Sequence, residues 1–283
     1  MQKIVDTMEL IKFSHSVFAL PFALVAMLYA ARDFPGWRLL GLIVVAMVTA
    51  RNAAMAFNRW LDADMDALNP RTKNRHIPQG LLSGKYVLTF SLANCLLFVF
   101  TAAWINGTAL ALSLPTLAVL LGYSYTKRIG AWSHWALGFA LGLAPVGAWI
   151  AVTGDILSPA WWLCAAVTCW VAGFDIIYSC QDVAFDQSYA GIFSIPKKIG
   201  VPGALLLSKV LHVLMFTLLM VFVSQVHGQT AAQYGLAMVS GFLIYEHYLL
   251  RGNNLNRINA AFFNSNGLIA LGFLAFVFVD VIM

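Results

Sequence analysis

The sequence has little charge. Asp, Glu, Lys and Arg make up only 10% of the 283 residues, whereas 61% of the residues are hydrophobic. A soluble globular domain carries about 25% charged residues, and a chain with so few polar groups cannot cover a water-facing surface of this size. This shortage excludes a disordered chain and an ordinary soluble enzyme, and it predicts an integral membrane protein.

Two other patterns are missing from the sequence. No segment alternates apolar and polar residues with a period of two, which argues against a membrane β-barrel. The four cysteines lie in apolar segments and have no CxxC or other metal-ligand spacing. We therefore interpret Cys95, Cys164, Cys169 and Cys180 as small buried hydrophobic residues.

The sequence does contain a series of long apolar runs. A helix needs about 20 residues to cross the hydrocarbon core of a bilayer. We predict an all-α integral membrane protein with about nine transmembrane helices. The predicted spans are residues 14–31, 38–58, 86–104, 108–126, 133–152, 160–181, 203–224, 231–250 and 260–281.

The basic residues predict the orientation of these spans. Thirteen of the 17 Lys and Arg residues fall on one side of the predicted bundle, and only Arg32 and Arg38 fall on the other. Arg51 and Arg59 lie within or at the end of the second span. Because cytoplasmic loops are enriched in Lys and Arg, we expect the N-terminus in the cytoplasm and the C-terminus on the opposite side.

The acidic residues are few, and half of them cluster. Six of the twelve lie within Asp62–Asp66 and Asp175–Asp186, at the predicted cytoplasmic ends of spans two and six. Asn58, Asp62 and Asp66 are spaced i, i+4 and i+8, a spacing that places them along one face of a helix.

The second cluster has a similar spacing. Asp175, Asp182 and Asp186 stand at i, i+7 and i+11, and the rest of this predicted helix is apolar. Stacked carboxylates repel each other, so they need basic side chains or divalent cations as partners, unless they are solvated helix ends with capping acids. Mg²⁺ binds carboxylate oxygens and bridges to phosphates. Two such clusters at one membrane face therefore predict Mg²⁺ ions shared with a diphosphate.

The segments after the two clusters are alike. Residues 69–80 and 191–200 each contain basic residues, an Ile-Pro pair and a glycine at the end. The two clusters lie about four predicted spans apart and have the same orientation. This pattern predicts a parallel duplication with the site between the halves.

The first acidic cluster carries a resemblance to a known family. The sequence resembles the UbiA superfamily of intramembrane aromatic prenyltransferases, and within it the 4-hydroxybenzoate polyprenyltransferase branch. The family's first motif is NDxxDxxxD, and Asn58, Asp62 and Asp66 stand at the matching places. Arg59 replaces the second residue of the motif, and Asp64 is out of phase to substitute for it.

The resemblance extends over essentially the whole chain. The second motif, DxxxD with an upstream Tyr and Asp, is matched by Asp182, Asp186, Tyr178 and Asp175. Two basic tracts also match, RTxNRxxPxG at residues 71–80 and YxxxKR at residues 123–128.

The resemblance implies a fold and an activity. The implied fold is one transmembrane domain, residues 1–283, with nine helices in pseudo-repeated halves around a central cavity. Its cytoplasmic cap is expected from loops 67–85 and 187–202. The implied activity is Mg²⁺-dependent transfer of a polyprenyl chain from its diphosphate to an aromatic acid, 4-hydroxybenzoate or a related carboxylated aromatic, in ubiquinone or menaquinone biosynthesis.

We expect the protein in the bacterial cytoplasmic (inner) membrane, with the active site facing the cytoplasm. The expected partners are the polyprenyl diphosphate, the aromatic acid acceptor and the lipid bilayer, and we expect no nucleic acid. The sequence does not predict an oligomeric state.

The implied roles fall into three groups. The expected metal ligands are Asn58, Asp62, Asp66, Asp182 and Asp186, and the four aspartates among them are also assigned as catalytic together with Asp175. The expected diphosphate-binding cations are Lys12, Arg51, Arg75, Lys127 and Arg128. The expected substrate-binding residues are Asn58, Tyr123, Tyr178 and Arg128.

Two of these roles stay open. Asp175 either orients the hydroxyl of the acceptor or takes the ring proton. Arg128 holds either the diphosphate or a carboxylate of the acceptor.

A small-residue stretch, residues 136–142, either permits an opening to the bilayer for the isoprenoid tail or packs against a neighbouring helix.

Two other function classes remain as alternatives. A membrane phosphotransferase of the CDP-alcohol class also uses acidic helix ends and a divalent metal, but its signature begins with Asp-Gly and has a downstream Ala-Arg, which neither cluster shows. A cation-coupled transporter would place its carboxylates near the middle of the bilayer, whereas these lie at the predicted cytoplasmic ends.

Overall fold

The structure is a computed structural model that describes residues 2–12, 20–253, 255, 258 and 265–283. Within these residues the chain is helical and contains no β-strand, so the all-α prediction is confirmed. The α-helices are α1 Gln2–Leu10, α2 Leu20–Ala31, α3 Trp37–Leu61, α4 Ala63–Leu68, α5 Gly84–Ile105, α6 Gly107–Thr126, α7 Ser133–Thr153, α8 Ala160–Ser179, α9 Val183–Ser188, α10 Ile195–Gln225, α11 Thr230–Leu249 and α12 Asn266–Ile282.

Six segments are long and apolar enough to cross a membrane, namely Trp37–Leu61, Gly84–Ile105, Gly107–Thr126, Ser133–Thr153, Ala160–Ser188 and Ile195–Gln225. The chain is therefore an integral membrane protein. Helices α2 and α12 are shorter apolar helices. The predicted beginnings of the first and last spans, residues 14–19 and 260–264, lie outside the described residues, as does Arg257 of the topology count.

Both acidic clusters lie where a long helix breaks, which corrects the prediction of two uninterrupted helix faces. Helix α3 ends at Leu61 and α4 begins at Ala63, so Asp62 stands at the break. Helix α8 ends at Ser179 and passes through the 3-10 turn Cys180–Asp182 into α9. Aspartate favours the start of a helix over its interior, which fits the two short helices that begin here.

The second expected loop, residues 187–202, is partly helical. Ser194 caps α10, because its hydroxyl accepts a hydrogen bond from the Lys197 amide at 3.4 Å, and Pro196 occupies the first turn. Helix α10 is then interrupted at Gly200, whose φ of 72° and ψ of 169° lie outside the helical region. Gly80, the corresponding glycine of the first repeat, also has a φ of 72°.

Helices α7 and α8 pack closely through small residues. A Cβ atom added to Gly138 would lie 2.4 Å from the Thr168 carbonyl oxygen, and one added to Gly142 would lie 2.7 Å from that of Cys164. The stretch 136–142 thus packs against a neighbouring helix, which favours the packing interpretation over an opening at this place. The antiparallel register of these contacts brings the start of α7 beside the end of α8.

Helix α8 lies at the centre of the largest hydrophobic core. Trp170, Ile176 and Ile177 on this helix are fully buried, and α8 packs against both α7 and α10. The four cysteines are free, and Cys164, Cys169 and Cys180 are buried as expected, whereas Cys95 is half-buried.

Candidate active site

A cavity of about 320 Å³ lies between the two acidic segments. Five acidic and four basic side chains line it, together with polar and aromatic groups. Ten of the thirteen residues predicted from the sequence are among its lining residues, namely Asn58, Asp62, Asp66, Arg75, Tyr123, Lys127, Asp175, Tyr178, Asp182 and Asp186.

Asp62 is the most heavily partnered acid of the first half. Its Oδ2 accepts hydrogen bonds from Lys127 Nζ and, at 3.0 Å, from Asn58 Nδ2. Its Oδ1 accepts one from Arg128 Nη2 at 2.9 Å. Burial lowers the pKa of Lys127, and the nearby charge of Asp62 offsets only part of this effect. Asp62 is 1% exposed, so these basic groups compensate a carboxylate that water does not reach.

Asp66 pairs with the loop that follows it. Arg75 Nη1 lies 2.7 Å from both carboxylate oxygens of Asp66. Thr72 donates its hydroxyl hydrogen to the backbone carbonyl of Asp66 at 3.1 Å. These contacts fold residues 69–75 over the break between α3 and α4.

Asp182 of the second half also binds this first loop. Arg71 donates from Nε at 2.7 Å and from Nη2 at 2.5 Å, and Asn69 Nδ2 donates at 3.1 Å. Arg71 also donates from Nη1 to the Tyr178 hydroxyl at 3.2 Å. Burial alone would lower the pKa of Arg71, but its hydrogen bonds to Asp182 and the charge of that carboxylate outweigh burial and raise the pKa. Arg71 therefore joins the loop of one half to the acid of the other.

Asp186 is held by its own loop. Its Oδ2 accepts a hydrogen bond from the Ser194 hydroxyl at 2.6 Å. Lys197 Nζ orders the same loop by donating to the carbonyls of Tyr189 at 2.8 Å and Ile192 at 2.9 Å. Phe193 ties this loop to the first half, because its amide donates to the Lys127 carbonyl at 2.8 Å.

Asp175 lies deeper, on α8. His134, the second residue of α7, places its Nδ1 2.7 Å from Asp175 Oδ2. His134 is 3% exposed, and both side chains line the cavity.

Three predicted cations lie elsewhere. Lys12, Arg51 and Arg128 are not among the cavity-lining residues that the structure describes. Arg51 donates to the carbonyls of Ile11 at 3.0 Å and Lys12 at 2.7 Å, just beyond α1. Carbonyls at a helix end lack partners within the helix, which is the physical reason for this placement. Arg128 reaches the site indirectly, through its bond to Asp62.

The lining residues to which the sequence assigned no role include Arg59, Asn69, Arg71, His134 and Ser194. Arg71 belongs to the matched tract RTxNRxxPxG, so the sequence already contained a reason to place it in the site. His134 lies at the start of α7. Its partner Asp175 lies 41 positions away in the sequence, so no local sequence pattern predicts this contact.

The donor chemistry of the cavity fits a hard divalent cation, because carboxylate oxygens and the amide oxygen of Asn58 are the ligands Mg²⁺ prefers. In this structure the carboxylates of the cavity are paired with other side chains rather than grouped around one point. In the part of the chain that the structure describes, no three His, Cys, Asp or Glu side chains group closely enough to hold a metal ion. The acids are instead bound by basic, amide and hydroxyl donors.

A helical membrane protein whose cavity combines carboxylates with guanidinium and ammonium groups is suited to a phosphorylated substrate. Comparison with known proteins agrees. The profile of the UbiA prenyltransferase family matches residues 19–276. The chain therefore belongs to the UbiA prenyltransferase family.

Individual relatives support this assignment and the predicted branch. The 4-hydroxybenzoate octaprenyltransferase of Aliivibrio fischeri (strain MJ11) is 27% identical over 250 residues, which cover 88% of this chain and 86% of the relative. The apo structure of a UbiA homolog from Aeropyrum pernix K1 superimposes with a TM-score of 0.86 and 33% identity, covering 94% of this chain and 98% of that one. A UbiA homolog from Archaeoglobus fulgidus, solved bound to DMAPP and Mg²⁺, has the same fold, with a TM-score of 0.75, 17% identity and coverage of 98% and 99%. Family membership sets aside the CDP-alcohol phosphotransferase and transporter alternatives.

Proposed function

We propose that this protein transfers a polyprenyl chain from its diphosphate to an aromatic acid, either 4-hydroxybenzoate or a related carboxylated aromatic, with Mg²⁺. The observation that carries the proposal is the meeting of both acidic segments with Arg71, Arg75 and Lys127 around one cavity. This combination suits a diphosphate, because carboxylates able to bind Mg²⁺ and cations able to bind phosphate line the same cavity.

Mg²⁺ would be held by the carboxylates and the amide oxygen of the two repeats, namely Asn58, Asp62, Asp66, Asp182 and Asp186. When bound, the ion supplies charge neutralisation for the departing diphosphate. Each carboxylate would exchange its present basic or hydroxyl partner for this role. A UbiA homolog solved with Mg²⁺ supports the choice of ion.

The cations released by this exchange would bind the diphosphate oxygens. Arg71 and Arg75 offer forked donors, and Lys127 offers a compact charge. Arg128 would follow Asp62, to which it is bound at 2.9 Å. Lys12 and Arg51 would join only after a rearrangement that frees Arg51 from the carbonyls beyond α1.

The transfer itself needs a bond broken, a bond made and a proton removed. The C–O bond of the prenyl diphosphate breaks and its electron pair leaves with the diphosphate. A ring carbon of the acceptor then bonds to the allylic carbon, and a base takes the proton from that ring carbon. Asp175 is the proposed base or hydroxyl-orienting group.

Three residues are proposed to surround the acceptor ring. Tyr123, Tyr178 and Asn58 line the cavity near Asp175 and Asp62. Arg128 is the proposed partner of the acceptor carboxylate if its guanidinium does not bind the diphosphate.

The choice of acceptor rests on the names of the relatives. Proteins named 4-hydroxybenzoate octaprenyltransferase align over most of the chain at 27% and 28% identity. We extend the proposal to ubiquinone or menaquinone biosynthesis as the pathway, which the resemblance to this branch of the family implies.

The proposed topology has nine spans in one domain, residues 1–283. They are the six long apolar segments together with α2, α11 and α12. The segments after α4 and α9 would form the cap. The excess of Lys and Arg at this end of the bundle supports a cytoplasmic cap in the bacterial inner membrane.

The test is a transfer assay with the full chain in membranes. Polyprenyl diphosphates of several lengths, Mg²⁺ and a panel of aromatic acids are supplied, and products are detected by mass spectrometry. We expect a prenylated product with at least one carboxylated acceptor and loss of product in EDTA. If no acceptor in the panel is prenylated, or if EDTA has no effect, the proposal is wrong.

A further inference from the structure

His134 pairs with Asp175, and the functional proposal gives this histidine no role. The histidine is buried at 3% exposure on α7, and its Nδ1 lies 2.7 Å from Oδ2 of Asp175 on α8. The Asp175 side chain is 29% exposed and lines the cavity. The imidazole therefore stands behind the carboxylate, which faces the substrate space.

The other ring nitrogen decides where the proton lies. The backbone N–H of Ile195 points to His134 Nε2 at 3.4 Å. A backbone amide can only donate, so Nε2 accepts and the neutral imidazole carries its proton on Nδ1. That proton points at Asp175 Oδ2. The hydrogen-bond network thus makes His134 Nδ1 the donor and Asp175 Oδ2 the acceptor.

Two features fix this geometry. The close contact of α7 with α8 at Gly138 and Gly142 sets the separation of the two backbones. Ile195 is the first residue of α10, which follows the loop that holds Asp186 through Ser194. The imidazole is thereby held between three helices and is oriented by the same loop that closes the second acidic cluster.

We propose that His134 is a positioning residue, which holds Asp175 with Oδ2 occupied and Oδ1 turned to the acceptor as the base. This inference rests on the proposed function. After the new C–C bond has formed, the C–H bond at that ring carbon breaks. Its electron pair restores the aromatic ring, and the proton goes to Asp175 Oδ1. His134 stays neutral throughout, and it stabilises the carboxylate by one hydrogen bond.

The experiment compares His134→Asn with His134→Gln. The amide nitrogen of Asn lies near the place of Nδ1 and can still donate to Asp175, whereas that of Gln lies near the place of Nε2. The matched controls are the same two substitutions at His227, an exposed residue outside the cavity. Thermal unfolding of each variant in detergent checks that it is folded.

Turnover is measured with the acceptor identified in the transfer assay, in its ordinary form and deuterated on the ring. We expect His134→Asn to keep kcat within about 10-fold and His134→Gln to lose about 100-fold, the size expected of a misplaced catalytic group. The KM for the prenyl diphosphate should change little. A primary isotope effect larger than that of the unmodified enzyme should emerge in His134→Gln, because proton removal becomes slow.

The outcomes separate the two proposals. If the unmodified protein transfers no prenyl group, the proposed function fails and this inference fails with it. If it does transfer, but the folded Asn and Gln variants have equal rates or unchanged isotope effects, only the role of His134 is overturned.

Discussion

Asp62 and Asp182 have the same backbone conformation. Asp62 has φ −93° and ψ 1°, and Asp182 has φ −98° and ψ 0°. This sparsely populated region lies between helix and strand and recurs at active sites. Each aspartate ends one helical segment and immediately precedes a six-residue helix, α4 or α9. The two repeats therefore present the first aspartate of each DxxxD pair, Asp62 and Asp182, with the same backbone conformation.

Because the two aspartates are equivalent, we expect substitution at either position to reduce prenyl transfer to the same degree. We expect Asp62→Asn and Asp182→Asn each to reduce prenyl transfer by more than about 100-fold, because each removes a charge at the proposed metal and diphosphate centre. Asp64→Asn is the matched control, since Asp64 is exposed and does not line the cavity. Steady-state rates at saturating Mg²⁺ provide the measurement. Near-normal turnover of either variant would remove that aspartate from the site.

Arg71 supplies a second prediction, because its fork binds both oxygens of Asp182. Lysine keeps the charge but cannot form this bidentate pair. We expect Arg71→Lys to lower kcat/KM for the prenyl diphosphate by about 10-fold and Arg71→Ala to lower it further. Lys73, which is exposed in the same loop, gives the control Lys73→Ala. Equal rates for Arg71→Lys and the unmodified enzyme would show that the fork is dispensable.

Most of the acidic site followed from sequence spacing. Asn58, Asp62 and Asp66 recur at helical intervals, and a regular interval is enough to place side chains on one face. The break at Asp62 escaped prediction because the i, i+4, i+8 spacing of Asn58, Asp62 and Asp66 continues through it unchanged. Such a break depends on the hydrogen-bond partners of the Asp62 carboxylate. These are Lys127 and Arg128, which directly follow α6.

The pairings across the cavity could not be predicted from sequence alone. Arg71 meets Asp182 across 111 positions, and His134 meets Asp175 across 41. These contacts depend on how closely α7 approaches α8, which the glycines at 138 and 142 permit but do not specify. Arg51 shows the opposite error. It was expected to bind the diphosphate, but its guanidinium donates to the carbonyls beyond α1.

Removal of the metal gives a third prediction. Asp62, Asp66 and Asp182 already have internal basic partners, so these three carboxylates are not isolated buried charges when no metal is bound. We expect EDTA to abolish transfer and diphosphate binding while leaving the unfolding temperature nearly unchanged. Calorimetric titration with inorganic diphosphate and a thermal unfolding curve measure the two effects. Collapse of the fold in EDTA would mean that the internal pairs do not replace the metal.

Arg59 gives a fourth prediction. It lines the cavity, and its only hydrogen bond within the described residues runs from Nε to the Leu10 carbonyl at a long 3.5 Å. A partly buried guanidinium beside Asp66 and Arg75 is therefore available to an anion. We expect Arg59→Met to raise the KM for the prenyl diphosphate by about 10-fold or more, since a charge-assisted hydrogen bond contributes about 1.5–3 kcal/mol. The KM of Arg59→Lys for the prenyl diphosphate should lie between the values of Arg59→Met and the unmodified protein.

The KM for the aromatic acceptor distinguishes this role from a general loss of structure. It should stay near the unmodified value in both Arg59 variants. A parallel rise of both KM values, or no rise at all, would contradict a specific role at the diphosphate.

Glu246 gives the last prediction, and it concerns stability rather than catalysis. The side chain is fully buried on α11, and Asn266 Nδ2 donates to its Oε1 at 3.5 Å. Asn266 in turn accepts from Trp170 Nε1 at 2.7 Å, so the cluster joins α8, α11 and α12. His212 on α10 faces the other carboxyl oxygen, with Nδ1 3.9 Å from Oε2. None of these residues is among those that line the cavity in the described structure.

A neutral amide of the same shape preserves the acceptor for Asn266, whereas alanine removes that acceptor and leaves a cavity in the buried cluster. We expect Glu246→Gln to unfold near the temperature of the unmodified protein, and Glu246→Ala to lose about 1–3 kcal/mol of stability. Turnover per folded molecule should stay normal in both, because the cluster lies outside the cavity. Unfolding in detergent followed by circular dichroism, together with the transfer assay, measures the two quantities. A stable Glu246→Ala variant with impaired turnover would instead assign this cluster to the reaction.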